Sequence, residues 1–548
     1  MCLDIPGSAE KGHQIDRGEP ARAALGRGSV LAAWALAVVV TLFAATVSVA
    51  GARSSAPPSR QLGTNLTLPT DSGSEVPFVD VFHLARPWVS QRDGMPYGQG
   101  GPLDLDSNGW VRSLPPGQHA DTLMLDNGGH HPAGRYSVLY DGRGTLDFQH
   151  SARVVSSSVG RIDIEVPAYV PGAMNAISLR IVTTDPADYL RNIRVLLPGH
   201  VGDYKRHPFN PAFLDAIRPF ATVRFMEWMD TNYNPPGDWS KRPTPQSATW
   251  HRTAGGVPVE VMVNLANTLH ADPWFTLPHT ATNDYVRRFA TVVRKRLAPS
   301  LVPHVEYTNE AWNSVFPQSK YVDDLGAALG LSTDRYLAGL RDYSDRAVEV
   351  FSIWGHVFGH RRFHRVLATQ SSPWALTQVL SWHGDFRRAD EAAIAPYFGI
   401  RGTNDPVIGP QIAAWSVDKV LSAAEQTIRV VYPPIGAQIV AVTKADGLAL
   451  VAYEGGQGLV GSGPMQNNNQ LTDLLIAANR APRMYDLYIE YLDEWQRLGG
   501  GLFMNYADVV VPSKYGSWGA LEYLGQSLAT APKYRALLAW MGPSRRRG

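Results

Sequence analysis

Two short stretches place carboxylates where a reaction needs them. In HVEYTNEAWN, residues 304–313, an apolar strand-like run ends in Asn309 and Glu310, with Glu306 four residues earlier and Trp312 just after. In LVAYEGGQG, residues 450–458, a second such run ends in Glu454 ahead of two glycines. Strand interiors have little room for unpaired charge. A glutamate at a strand's end therefore caps the helix that follows or faces a ligand. Capping is enough to explain one. Two at the tips of separate strands, each beside further polar and aromatic groups, match glycoside hydrolysis. There one carboxylic acid protonates the leaving oxygen, and a second carboxylate attacks the sugar or activates water.

Such a pair needs a scaffold that gathers strand ends. After Pro198, short apolar runs alternate with helical patterns: ATVRFMEWM, VPVEVMVNL, HVEYTNE, RFHRVLATQ, AAIAPYFG, LALVAYEGG and GLFMNYAD read as strands. NDYVRRFATVVRKRL reads as a helix, with Val286, Phe289, Ala290, Val293 and Leu297 on one face, Asn283 as its cap and Pro299 beyond its end. DRYLAGLRDYSDRAVEVFSIW and MYDLYIEYLDEWQRLGG read the same way, and LGTNLT near residue 62 supplies an eighth strand. Eight strand–helix units close a (β/α)8 barrel, although counting alone leaves a doubly wound open sheet as the alternative. Either fold puts its site at the C-terminal strand ends. Those ends carry Arg224, Glu227, Asn309, Glu310, Tyr397, Glu454 and Asn505.

Residues 91–198 have another rhythm. RYSVLY, RIDIEV, ISLRIV and NIRVLL alternate apolar and polar positions, with Asp141-Gly142 among the turn signals. They predict an antiparallel sandwich inserted after the first strand, with Val138, Ile162, Ile164, Leu179 and Ile181 as its core. The predicted fold class is thus α/β: a (β/α)8 TIM barrel over residues 61–90 and 199–548, a small β-sandwich over 91–198, and an N-terminal apolar segment.

That segment, residues 30–50, is uncharged and follows Arg22 and Arg27. It is long enough to span a bilayer, which takes ~20 residues, and it ends in Ser48-Val49-Ala50, a small-residue cleavage pattern. Residues 1–50 are read as a signal peptide or signal anchor and 51–60 as a linker, so the remainder is expected outside the cytoplasm, secreted or anchored in the membrane. The single cysteine, Cys2, precedes the apolar run, and no disulfide can form within the chain. A net charge of +1 gives no field that would draw nucleic acid. GQGLVG, residues 456–461, has dinucleotide-binding glycine spacing, but Ser462, Gly463 and Pro464 stand where its helix would begin. His130-His131 reads as a surface turn rather than a metal site, because adjacent side chains on a strand point apart. No cofactor or metal is expected.

VEYTNEAWN resembles the fourth barrel strand of the clan of retaining (β/α)8 glycoside hydrolases that includes cellulases, mannanases and β-galactosidases. Its members carry Asn-Glu at that strand's end, often with another Glu four residues earlier. LVAYEGGQG resembles their seventh strand, which ends in the nucleophile. The resemblance implies Glu310 as acid/base, Glu454 as nucleophile, Asn309 on the sugar 2-hydroxyl, and Arg224 and Tyr397 as groups that hold the nucleophile. Trp518 matches the clan's sugar-stacking tryptophan. The likeness covers roughly residues 60–90 and 199–530 by strand order, and departs at Ala311, where many members have proline. Trp312, and Trp274 and His279 in ADPWFTLPH, are further expected cleft residues. The expected function is retaining hydrolysis of a β-linked oligo- or polysaccharide. The alternative is a non-catalytic carbohydrate-binding surface protein on the same barrel. Sugar, linkage and oligomeric state are encoded in no local motif.

Overall fold

The computed structural model describes residues 61–542, apart from 172–173 and 234–236. Eight parallel strands close a barrel in chain order: Leu62–Asn65, Thr222–Arg224, Asp272–Leu277, His304–Tyr307, His364–Ala368, Glu391–Ile394, Ala449–Ala452 and Phe503–Asn505. The first strand pairs with both the second and the eighth, so the sheet is a (β/α)8 barrel and the open-sheet alternative falls. The contact is tight at Gly63, where a Cβ would collide with the Met504 sulfur of the eighth strand.

The third strand is not where alternation placed it. VPVEVMVNL lies in the helix Val259–Leu269, whose buried residues Val259, Met262, Val263 and Ala266 follow helical spacing. Its alternate valines coincide with a period of two without forming a strand. The true strand, Asp272–Leu277, contains Trp274 rather than preceding it. The helix Asn283–Arg296 buries Val286, Phe289, Ala290 and Val293. Its cap is Thr282, whose hydroxyl accepts from Tyr285 N, and not the expected Asn283.

Between the first two barrel strands the chain builds two four-stranded antiparallel sheets. One runs Val89–Arg92, Gln118–Met124, Ile177–Thr184, Gly144–His150. The other runs Arg191–Leu196, Gly134–Asp141, Arg161–Val166, Arg153–Ser158. Val138, Ile162, Ile164, Leu179 and Ile181 are all buried between these elements, in the main hydrophobic cluster. Asp80 fastens the insert to the barrel by accepting from Val195 N at 2.9 Å. The chain then re-enters the barrel through the helix Pro211–Ile217, capped by Asn210.

The floor of the barrel, at the N-terminal strand ends, is polar. Glu391 accepts from His304 Nδ1 at 2.8 Å and lies 3.3 Å from His364 Nδ1. His304 stacks between Trp274 and His364, with centroids 5.0 and 4.6 Å away. Burial works against the charge on His304, but Glu391 outweighs it and holds the imidazole above its ordinary pKa. The three side chains offer ligand-type atoms within 4.8 Å of one another. Their near-parallel rings aim both Nδ1 atoms at one carboxylate, through a hydrogen bond from His304 and a 3.3 Å contact from His364.

Among the described residues no helix is long and apolar enough to cross a membrane. Residues 30–50, and the leader or anchor read there, lie outside the described residues.

Candidate active site

The opposite end of the barrel is organised by Arg224, the last residue of the second strand. Its side chain is wholly buried and every nitrogen of its fork is used. Nη1 donates to Asn65 Oδ1 at 2.9 Å and to Glu454 Oε1 at 2.8 Å. Nη2 donates to Glu306 Oε2 at 2.9 Å and to Asn309 Oδ1 at 2.8 Å, and Nε donates to Glu306 Oε2 at 3.1 Å. Strand register accounts for the first of these partners: Asn65 pairs directly with Arg224, which sets the two residues side by side on adjacent strands. Burial works against the guanidinium charge, but Glu306 and Glu454 more than restore it, and its pKa is raised.

Glu306 lies deepest. Besides Arg224 it accepts from Trp274 Nε1 at 2.8 Å and Thr276 Oγ1 at 3.0 Å. Its role is to counter the buried cation. Trp274, expected along the cleft, is instead fully buried beneath it as the donor that fixes Glu306. The third-strand misreading placed it one level too high.

Glu454 lies two residues beyond the seventh strand and is 6% exposed. Arg224 holds one of its oxygens, and Tyr397 donates to the other at 2.9 Å. Glu310 is held differently. Tyr453 donates to its Oε1 at 3.0 Å and Asn313 Nδ2 to its Oε2 at 2.8 Å, both neutral donors. The backbone before Glu310 is bent by left-handed residues, Thr308 at φ +48° and Glu310 itself at φ +39°. Such conformations cost about 1–3 kcal/mol each at a non-glycine residue and cluster at functional sites. Here they turn Glu310 toward Tyr453 of the seventh strand's end.

Asn309 accepts from Arg224 and donates one Nδ2 hydrogen to Asn232 Oδ1 at 2.9 Å, which leaves its second hydrogen for a ligand. Gln318 locks this pair, donating to Asn232 Oδ1 at 2.8 Å and Asn309 O at 2.7 Å. Trp518 is half-buried, edge-on to Tyr397 and Tyr506 at 5.7 and 5.6 Å. Trp312 packs edge-on at 6.1 Å against Tyr453, the residue that donates to Glu310. His279 is buried beside Tyr321, and burial lowers its pKa to about 4, so it is neutral.

Burial pushes Glu454 up, to about 8; Arg224 pulls it down and Glu310 pushes it further up. A guanidinium favours the anion far more than a phenol or an amide does, so of the two carboxyls Glu454 has the partner that favours charge. Tyr397 and Tyr453 are raised well above ordinary phenols by burial and the adjacent carboxyls, so both remain donors.

Strand-end reading did not find Asn65, Tyr453, Asn313, Asn232, Gln318 or Tyr506. Two had local signals: Tyr453 precedes Glu454, and Asn313 lies three residues after Glu310. The others depend on how distant strands line up.

Fold and site together define a (β/α)8 barrel that presents two carboxyls from the ends of its fourth and seventh strands. No protein-family profile matches the chain, and no curated protein matches it. Among solved structures it is similar to an α-L-arabinofuranosidase from Thermotoga maritima, at 13% identity and TM-score 0.34 over 60% of this chain and 63% of that one. It is similar to a modular endo-β-1,4-mannanase from Cellulomonas fimi, at 10% identity and TM-score 0.31 over 59% and 62%. A broad-specificity endoglucanase from Clostridium longisporum matches at 12% identity and TM-score 0.34 over 62% and 88%. The chain thus spans less than two thirds of the first two. All three are glycoside hydrolases, and at these scores the matches carry no weight for the chemistry, which must come from the side chains.

Proposed function

We propose that the protein is a retaining glycoside hydrolase acting on a β-linked oligo- or polysaccharide. One observation carries this reading: Glu454 is held by a buried guanidinium and a phenol, while Glu310 beside it is held by neutral donors only. That asymmetry gives one carboxyl a cationic partner and the other only neutral ones, the division of environments that a nucleophile and a general acid need. Glu454 attacks the anomeric carbon while Glu310 gives its proton to the leaving oxygen. Water then cleaves the glycosyl ester as Glu310 takes a proton back. The free Asn309 hydrogen reaches the sugar 2-hydroxyl, and Trp518 stacks on the ring. A purely carbohydrate-binding protein would have no use for one carboxyl buried against a guanidinium beside a second on strained backbone. The barrel works outside the cytoplasm, behind the apolar segment at residues 30–50.

The test is a polysaccharide panel assayed for new reducing ends, with the first-formed anomer read by proton NMR. Release of a β-anomer from a β-linked substrate supports the reading. Inverted product, or no cleavage of any member, contradicts it.

A further inference from the structure

Glu227 has no part in the pair described above, yet it is built into the same mouth. It lies three residues beyond the second strand and is 6% exposed. Its Oε1 accepts from Tyr506 OH at 2.8 Å. Its Oε2 is buried with no hydrogen-bond partner among the described residues. Tyr506 directly follows the eighth strand, and its ring lies 6.5 Å from that of Tyr397, whose hydroxyl holds Glu454. Its other neighbour is Trp518, at 5.6 Å. Glu227 therefore stands one tyrosine away from the nucleophile, on the side that Trp518 flanks. Burial pushes its carboxyl up to about 7, Tyr506 pulls it down and Asp230 pushes it up.

Anchoring Tyr506 would use one oxygen, and a neutral amide could do it. It does not account for a second oxygen kept buried and idle, which is costly unless a ligand completes it. The cations acting on Glu227 are Arg252 and Arg224. Arg224 is spent on Glu306 and Glu454. Arg252 lies 3.6 Å from Asp230, with its guanidinium 3.8 Å over the Tyr233 ring. A carboxylated sugar here would meet four carboxyl groups, Glu227, Asp230, Glu310 and Glu454, against Arg252 as the one cation of the two not spent on the Glu306–Glu454 pair.

Resting on the function proposed above, we infer that Glu227 is a specificity-determining residue. Its free oxygen takes a hydroxyl hydrogen of an uncharged sugar bound against Glu454, and the surrounding group of carboxyls turns uronic acids away. A site that hydrogen-bonds a substrate hydroxyl discriminates strongly against an analogue lacking it, because the buried partner is then unpaired.

The test uses the purified full-length protein with 4-nitrophenyl β-glycosides of neutral sugars and of glucuronic acid, then monodeoxy analogues of the fastest neutral substrate. In the wild type, one deoxy position should lower kcat/KM at least ~100-fold, and the glucuronide should trail the neutral substrate by a similar factor. In Glu227→Ala the same deoxygenation should cost less than about threefold. Glu227→Gln keeps an acceptor for Tyr506, so it serves if the alanine variant fails to fold. Its deoxy penalty should shrink at least ~10-fold. A deoxy pattern unchanged by either substitution, or a glucuronide cleaved fastest, overturns the inference while leaving hydrolysis intact. If the wild type cleaves no glycoside, the functional reading falls and takes this inference with it.

Discussion

The barrel buries charge at both ends, and the two ends use it differently. On the floor, one carboxylate faces two imidazoles: Glu391 with His304 and His364. Its two carboxylate oxygens each face one imidazole, and none of the three residues has a positive φ. At the mouth, Arg224 balances Glu306 completely, but acceptors are left open at Glu227 Oε2, Asn505 Oδ1 and Thr308 Oγ1. Asp230, Thr308 and Glu310 there adopt left-handed backbone. Buried charge alone therefore does not mark a site. A closed ion pair reads as architecture, while open polar atoms on a strained backbone read as a place kept for a ligand.

Removing Arg224 should have the largest effect. Arg224→Met leaves Glu306 buried without its cation, which should cost about 3–5 kcal/mol in denaturant melts and abolish turnover. If that variant is as stable as the wild type, Glu306 is not the counter-ion described. Glu391→Gln cuts the floor pair and should lower stability by about 1–3 kcal/mol, while kcat/KM stays within about twofold. Loss of activity without loss of stability would erase the distinction between the ends.

The pH dependence of stability separates the ends further. At the mouth, burial pushes Glu227 up to about 7 and Glu454 up to about 8. Folded values raised above unfolded ones mean that stability is fully present in acid and lost as pH climbs through the folded values. That fall begins near the unfolded glutamate value of about 4.3. His304, also raised, contributes fully below about 6.5 and loses its contribution as pH rises through its folded value. Glu227→Gln should flatten the lower part of the melting-temperature curve, and Glu391→Gln the upper part. A melting temperature that rises steadily from pH 5 to 8 contradicts both assignments. Tyr453→Phe should have the smallest effect, lowering kcat about tenfold by removing one donor to Glu310 with little change in stability.

How much of this was legible depended on distance along the chain. Glu310 and Glu454 each end an apolar run, so local pattern was enough to single them out, and the alternating strands of the insert disclosed Ile162 and Ile164 in the same way. Arg224 and Tyr397 stand at strand ends too, but their partners became visible only when the barrel closed. Asn65 reaches Arg224 because the first and second strands pair in one register, which nothing within LGTNLT states. The third strand was hidden because valines spaced by two in VPVEVMVNL imitate a strand while the same residues satisfy a helix. That error carried Trp274 from the barrel interior to the cleft. Glu227 was legible as a strand-end residue, but its unpaired oxygen was not.

The division of labour between Glu454 and Glu310 is tested most directly by azide rescue of two variants on an activated aryl glycoside. Glu454→Gly should lose at least ~10⁴-fold in turnover, and azide should restore it as the glycosyl azide of inverted configuration. Glu310→Ala should still form the glycosyl–enzyme with a leaving group that needs no proton, and azide should release a glycosyl azide of retained configuration. If the two variants give the same anomer, or if both keep wild-type activity without azide, the assignment of nucleophile and acid is wrong.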